Sequence, residues 1–407
     1  MRIRVGRRRR ADDRIVEAAI ESRHAPWLVP PRLRTGGEVD ERHASWLELF
    51  FDVVFVVAIA QLVHELVVDH SSAGLLRFAA LFVPIYVAWQ GHSAYADRFD
   101  TDDLAFRAAY FAAMLAVSAM AVLIPDVARG HNSAAFAVAY AVLRSLMIAL
   151  YWRAWRSVPQ ARPLIRRYGI GYSAGVAIWL ASLAFDTPSR FVVWGIALVL
   201  ELSLPPLSTR LHRIVPVHGI HLPERWGLFT IIVVGESVVA VALETADANW
   251  RIDSAAAAVL GFAAVAAVWW LYFDRLADVV LQGASPAPVV YSYAHLPLLM
   301  GLAAMSAGVG LLIERAGENH LGAGAAVALL GGVALFLLSL IAMRAVTVGG
   351  PMRVGVSLKL GVVAIVLGLL LAQSVLPPLA VASGLLSVLV ALVFVERVLF
   401  PPSRTSS

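Results

Sequence analysis

Cysteine is absent from the 407 residues, lysine occurs once, at Lys359, and charged residues make up only 15% of the chain. The first absence excludes disulfides, thiolate chemistry and Cys-ligated metal sites. The scarcity of charge excludes a separate soluble domain, because after Ser45 no polar segment is long enough to fold alone. Also missing are a phosphate-cradling glycine loop, an HExxH pair and a nucleotide fingerprint. The expectation is therefore a protein that is not an enzyme, with no cofactor and no metal. His212, His218 and His221 fall in one polar loop but lack a defined ligand spacing.

Hydrophobic residues, by contrast, make up 60% of the chain. They come in runs of about twenty, the length that crosses a bilayer core. The fold class expected is all-α: a polytopic transmembrane helical bundle of about twelve spans. These are read at Trp46 to Val68, Leu75 to Ala94, Leu104 to Ile124, Ala134 to Trp152, Tyr168 to Phe185, Phe191 to Leu207, Trp226 to Leu243, Ala255 to Phe273, Val289 to Ile313, Leu321 to Val346, Val354 to Leu371 and Val375 to Val395. Trp89, Trp152, Trp155, Trp226, Trp269 and Trp270 fall near span ends or on packing faces and read as interface anchors.

The net charge of +5 is carried by arginine. In a membrane protein basic residues are first a topology signal rather than a sign of nucleic-acid binding, and no nucleic-acid partner is expected. One side of the twelve spans holds the Arg-rich start of the chain, then Arg153, Arg156, Arg162, Arg166 and Arg167, then Arg210, Arg213 and Arg225, then Arg344, Arg353 and Lys359, then Arg397 and Arg404. The other holds one arginine per loop: Arg77, Arg129, Arg190, Arg251 and Arg315. Both termini are expected to be cytoplasmic, in a bacterial plasma membrane. Residues 1–45 read as a disordered basic tail that touches anionic lipid head groups, with no hydrophobic core of signal-peptide length.

An internal repeat divides the remainder. FDVVFVVAIAQL from Phe51 lies on FTIIVVGESVVA from Phe229, and Tyr95-Ala96-Asp97-Arg98 lies on Tyr272-Phe273-Asp274-Arg275 at nearly the same offset. Ser118-Ala119-Met120 echoes Ala303-Ala304-Met305. The expected organisation is a six-helix repeat over 46–215, a second over 216–400 and a short tail over 401–407. Six spans each makes the repeats parallel.

The first span, WLELFFDVVFVVAIAQLVHEL, carries Glu48 and Asp52 on one helical face. An Asp at a span centre costs ~3 kcal/mol, while each of the surrounding apolar side chains returns ~0.3 to 0.6 kcal/mol, so insertion survives. Asp52 lies only ~9 Å inward from Trp46, where it can bridge to a neighbouring helix end, with Arg98 the expected partner. Glu236, Glu201 and Arg144 are deeper, and Arg144 can pair with either Glu236 or Glu201 to fix helix packing. Charges at such depth usually face a bundle interior or a wet cavity. Ser237 beside Glu236, and His295 among Tyr291, Tyr293 and Pro297, complete the candidate substrate- or proton-binding set of Glu48, Asp52, Glu236, Ser237 and His295. Asp97, Arg98, Arg144, Glu201, Glu224, Arg225, Asp274 and Arg275 are the candidate structural ion-pair residues.

Three motifs in order, ERHASWLELFFD, HLPERWGLFTIIVVGES and YSYAHLPLL, resemble the bacterial low-temperature-requirement A (LtrA) family of integral membrane proteins. The resemblance covers Glu41 to Phe400, with Trp226 where another aromatic is expected. It implies a multispanning membrane protein named for growth in the cold, and maps the family's motif residues to Glu48, Phe51, Asp52, Glu224, Arg225, Gly235, Glu236, Ser237 and His295. The ELFFD helix also resembles the first-helix motif of potassium channels built from six-span repeats. The leading expectation is a secondary transporter or permease of a small solute or ion. A cation channel and a non-transporting protein of cold or stress adaptation are the alternatives.

Overall fold

Ser45, Ser71 and Asp103 each precede an apolar run, and each side chain accepts from a backbone N–H in the first turn of the helix that follows. In the computed structural model, which describes residues 27–34, 45–217, 221–248, 251–276, 281, 287–347 and 352–399, the chain is helical almost throughout. Among these residues twelve long helices follow in order: α1 Trp46–Val68, α2 Ser72–Arg98, α3 Leu104–Ala128, α4 Ser133–Ser157, α5 Arg162–Ala181, α6 Ser189–Leu207, α7 His221–Asp247, α8 Ile252–Leu276, α9 Ala287–Glu314, α10, α11 Met352–Ala372 and α12 Pro378–Leu399. Helix α10 is composite, running from Ala323–Ala326 through a π turn at Val327–Gly331 to Gly332–Thr347. The fold is an all-α polytopic bundle. Beyond the helices, strand β1 (Arg32–Leu33) pairs antiparallel with β2 (Phe99–Asp100), and Arg34 N donates to Arg98 O (3.1 Å).

Eleven of the twelve are long and apolar enough to cross a membrane. The exception is α5, whose first two turns carry Arg162, Arg166 and Arg167. The fifth span was expected from Tyr168; the helix starts at Arg162 because those arginines lie on its exposed face and do not interrupt it. The Arg-rich run at residues 1–10, His218 and the 401–407 tail lie outside the described residues, as does the side chain of Arg275.

Polar contacts at helix ends establish the up-and-down order. On one face Arg153 near the end of α4 donates to Asp103 at the start of α3 (2.9 Å), and Tyr168 in α5 bonds His212 just after α6 (2.8 Å). Arg397 at the end of α12 reaches Asp274 at the end of α8 (3.1 Å). On the other, Arg129 after α3 meets Glu65 near the end of α1 (3.2 Å), Arg190 in α6 donates to Ser133 in α4 (2.6 Å), and Arg315 after α9 bonds His70 after α1 (3.0 Å). The start of α1 and the end of α12 therefore share what we term the N-terminal face.

Helix α9 is the centre of the bundle: 83% of its most apolar 18 residues are buried, against 28% for α6 and α11. It packs on α1, α2, α7, α8 and α10. Its approach to α10 is set by glycine, since a Cβ on Gly308 would stand 2.4 Å from the Leu329 backbone nitrogen and one on Gly301 2.5 Å from Gly332 O. With no aqueous phase to drive helices together in lipid, such small-residue contacts are the main source of packing attraction. Helix neighbours recur in the two halves: α1 on α2 and α3, α3 on α4, α4 on α5, α5 on α6 and α2 on α6, beside α7 on α8 and α9, α9 on α10, α10 on α11, α11 on α12 and α8 on α12.

Candidate functional site

Glu48 and Asp52 do different things. Glu48 is the third residue of α1 and completes a capping box, its Oε2 accepting from Ser45 N (3.0 Å) while Ser45 Oγ accepts from Glu48 N (3.3 Å). One turn on, Asp52 is wholly buried and faces α7, where Arg225 Nη2 donates to its Oδ1 (3.2 Å). Arg225 Nη1 also stands 4.0 Å from Glu48 Oε1. Trp89 of α2 donates from Nε1 to the same Asp52 oxygen (2.6 Å).

His221, the first residue of α7, joins the cluster through Nε2, 3.8 Å from Glu48 Oε2, and through Nδ1, 3.3 Å from Asp97 Oδ1. Arg34 lies within electrostatic reach of Glu48. Thus α1 and α2 supply three carboxylates, while α7 and the segment before α1 supply two guanidiniums and an imidazole. Asp52 Oδ2 and Arg225 Nε have no hydrogen-bond partner among the described residues.

The expected Asp52–Arg98 bridge does not form. Arg98 is the last residue of α2 and lies nearer the N-terminal face than Asp52, which is level with Trp89; Arg98 instead donates to Ala94 O (3.1 Å) and Val215 O (3.4 Å). Trp89 and Trp226 are not interface anchors but sit in the core at 0% and 1% exposure. Trp226 packs on Trp89 (ring centroids 4.3 Å apart) and stacks on His295 (4.8 Å). His295 is fixed by Tyr272 OH at its Nε2 (2.9 Å) and by Tyr291 O at its Nδ1 (2.8 Å), which accounts for both ring nitrogens.

A second pair lies inside the first half. Arg144 of α4 meets Glu201 of α6, both side chains fully buried. Tyr140 OH donates to Glu201 Oε2 (2.7 Å) and accepts from Arg144 Nε (3.0 Å), and the guanidinium lies over the Tyr172 ring at 5.0 Å. Gly91 makes room for it, because a Cβ there would stand 2.8 Å from Arg144 Nη1.

Between the two pairs a narrow cleft of about 40 Å³ opens at the N-terminal face, lined from the first half by Gln90, Gly91, Arg98, Tyr168, Tyr172 and His212 and from the second by Leu222, Trp226, Pro288 and Ser292. Trp226 walls it from Asp52. Burial, with Arg98 close by, holds His212 in the neutral form by pushing its pKa down to about 3. The fixed charge of the lining is Arg98.

The family model described as "Bacterial low temperature requirement A protein (LtrA)" matches residues 43–394. The chain belongs to the LtrA family. A protein of Rhizobium meliloti (strain 1021) named "Uncharacterized protein RA0937" is 29% identical over 356 residues, covering 81% of this chain and 83% of that one.

The residues singled out by the resemblance divide in space. Glu48, Asp52 and Arg225 meet in one cluster, and His295 lies one ring behind it against Trp226. Glu236 does not join them: half-buried on α7, it has no hydrogen bond or ion pair among the described residues. Neighbouring Ser237 shares a hydrogen bond with Ser306 of α9 (2.6 Å), and Gly235 faces open space. Asp274 bonds Arg397 and Trp270 (2.6 Å), away from the cluster. Glu224, adjacent to Arg225, is half-buried. Sequence reasoning missed His221 and Trp89 as cluster members. Nothing in their local spacing marks them, since each meets Glu48 or Asp52 only through helix packing.

Proposed function

We propose that this LtrA protein is a secondary transporter of a small solute, with the cleft as the solute's entry from the N-terminal face and the Glu48–Asp52–Arg225–His221 cluster as the coupling element. The observation that carries the reading is a buried, charged contact between α1 and α7 beside a polar cleft that separates the same two groups of helices. Intramembrane charges of this kind, at a boundary between helix bundles, are where carriers bind substrate and protons. The matching helix neighbours in the two halves support two parallel six-helix repeats that rock about this boundary.

The lining favours an anionic solute. Among the described residues it offers the Arg98 cation with Gln90, Tyr168, Tyr172 and Ser292 as neutral hydrogen-bonding groups, and no carboxylate. That lining disfavours a cation channel, because a fixed guanidinium with no acidic ring beside it repels cations. With the N-terminal face toward the cytoplasm, as the arginine asymmetry indicates, the cleft faces inward.

The test is flux in proteoliposomes loaded with a panel of small organic and inorganic anions, with and without a proton gradient. Wild type is expected to move at least one anion in a gradient-dependent way. Asp52→Asn and Arg225→Lys are expected to lose coupling, and Arg98→Gln to lose uptake, in protein that melts as a folded species. No flux above empty liposomes for any anion would move the assignment to a non-transporting membrane protein, the reading favoured by the Arg144–Glu201 pair, which is buried within one half and away from its boundary.

A further inference from the structure

The first two turns of α5 place Arg162, Arg166 and Arg167 on its exposed side, with Pro163 and Ile170. With Trp155 of α4 and Leu211 after α6 they line a groove of about 520 Å³, open at the N-terminal face and separate from the cleft. Arg162 is held over the Trp155 ring (5.8 Å) and donates from Nε to Trp155 O (3.1 Å). Arg166 and Arg167 have no hydrogen bond or ion pair among the described residues, and no carboxylate lines the groove.

Three guanidiniums in the first turns of a helix are electrostatically misplaced. The macrodipole is positive at that end and favours anions there, so it adds to their charge instead of offsetting it. Nearby Arg156 lies over Trp152 (5.3 Å), and Arg210 and Arg213 are exposed on the same corner. Below the arginines the exposed side of α5 turns apolar, with Ile170 63% and Leu180 44% exposed. Ile170 stands ~12 Å along the helix from Arg162, the direction an acyl chain takes from its headgroup.

We propose that this groove is a binding site for the headgroup of an anionic phospholipid, whose phosphate is held by Arg162, Arg166 and Arg167 and whose acyl chain lies along Ile170 and Leu180. Guanidinium forks match phosphate oxygens bidentately, and basic pockets between transmembrane helices at the cytoplasmic side are suited to such headgroups. The apolar strip below the arginines favours a lipid over free phosphate.

Delipidated full-length protein in detergent would be titrated with dioleoylphosphatidylglycerol, dioleoylphosphatidylcholine and inorganic phosphate, and bound lipid counted by native mass spectrometry. Saturable binding of the anionic lipid over the zwitterionic one is expected. Replacing all three arginines with Gln should weaken it about fivefold per arginine, hence about a hundredfold in total. The Lys triple variant should keep most of the affinity, and neutralising Arg7, Arg8, Arg9 and Arg10 with Gln should leave this site unchanged. Undiminished binding in the Gln triple variant, loss of the site on neutralising the N-terminal run, or inorganic phosphate competing as well as the lipid would each overturn the proposal. If the Gln triple variant does not fold, Arg166→Gln with Arg167→Gln makes the same test, with about a 25-fold loss expected.

Discussion

Replacing Arg225 with Gln removes the cation shared by Glu48 and Asp52 while keeping most of the side chain's volume. Arg225 stands 3.2 Å from Asp52 and 4.0 Å from Glu48, and Asp52 is fully enclosed. At an effective dielectric constant of ~20, a unit pair at 4 Å is worth about 4 kcal/mol before desolvation is subtracted. Stranding a buried partner typically costs about 3–5 kcal/mol, and that is the loss of stability expected for Arg225→Gln. Asp52→Asn alone should cost less, because Glu48 still faces the guanidinium. The double variant Asp52→Asn with Arg225→Gln should be more stable than the sum of its parts by about 1.5 kcal/mol or more, since neither member is then left charged and alone. Reversible unfolding by sodium dodecyl sulfate in mixed micelles, followed by tryptophan fluorescence, reads all three. Trp89 and Trp226 lie against the cluster and report it directly. A single variant within about 0.5 kcal/mol of wild type, or strict additivity in the double, would refute the assignment of the pair as a buried, coupled contact.

Gly308→Ala should destabilise by about 1–3 kcal/mol, because its Cβ would meet the Leu329 backbone at 2.4 Å. Gly235→Ala, which meets nothing within 4 Å, should be neutral or stabilising by up to about 1 kcal/mol; the same unfolding assay compares them. Tyr140→Phe removes the hydroxyl that links Glu201 to Arg144 and should cost about 1–3 kcal/mol, with little effect if Glu201 is also changed to Gln. Asp103, just before α3, is buried, which raises its pKa, but hydrogen bonds from Val29 N, Phe106 N and Arg153 outweigh this and hold it below the usual carboxylate range. Its folded pKa being depressed, its contribution is complete above the unfolded value of about 3.9 and is lost as pH falls through the folded one. The thermal midpoint of wild type should therefore fall more steeply below pH ~4 than that of Asp103→Asn.

The number of long helices and most of their boundaries were legible in the sequence because apolar length and polar punctuation are local signals. Arg162, Arg166 and Arg167 hid the start of α5, since on a helix three arginines can lie on one exposed face without breaking it. The Arg144–Glu201 pair was legible as one of two options from depth alone, because two opposite charges that far from water need each other. The partner of Asp52 was not. The choice between Arg98 and Arg225 turns on where α7 packs against α1, and that non-local contact leaves no trace in spacing. His221 was invisible for the same reason, as were Trp89 and Trp226, whose nearness to span ends resembled the usual interfacial placement of tryptophan.

The buried charges differ in where they lie. Arg144–Glu201 lies within the first half and Lys359–Glu396 within the second. The cluster between α1 and α7 instead spans the halves, with Arg225 against Glu48 and Asp52 and His221 in contact with Glu48 and Asp97. A purely structural pair in lipid gains little over well-packed apolar side chains. A buried charged contact placed where the two halves meet, and not inside one of them, fits the coupling role proposed for it, because any change in its strength changes how firmly the halves hold together. His221→Gln separates the alternatives: a tether would lose stability at every pH, whereas a coupling residue would leave a folded protein whose transport no longer responds to the proton gradient.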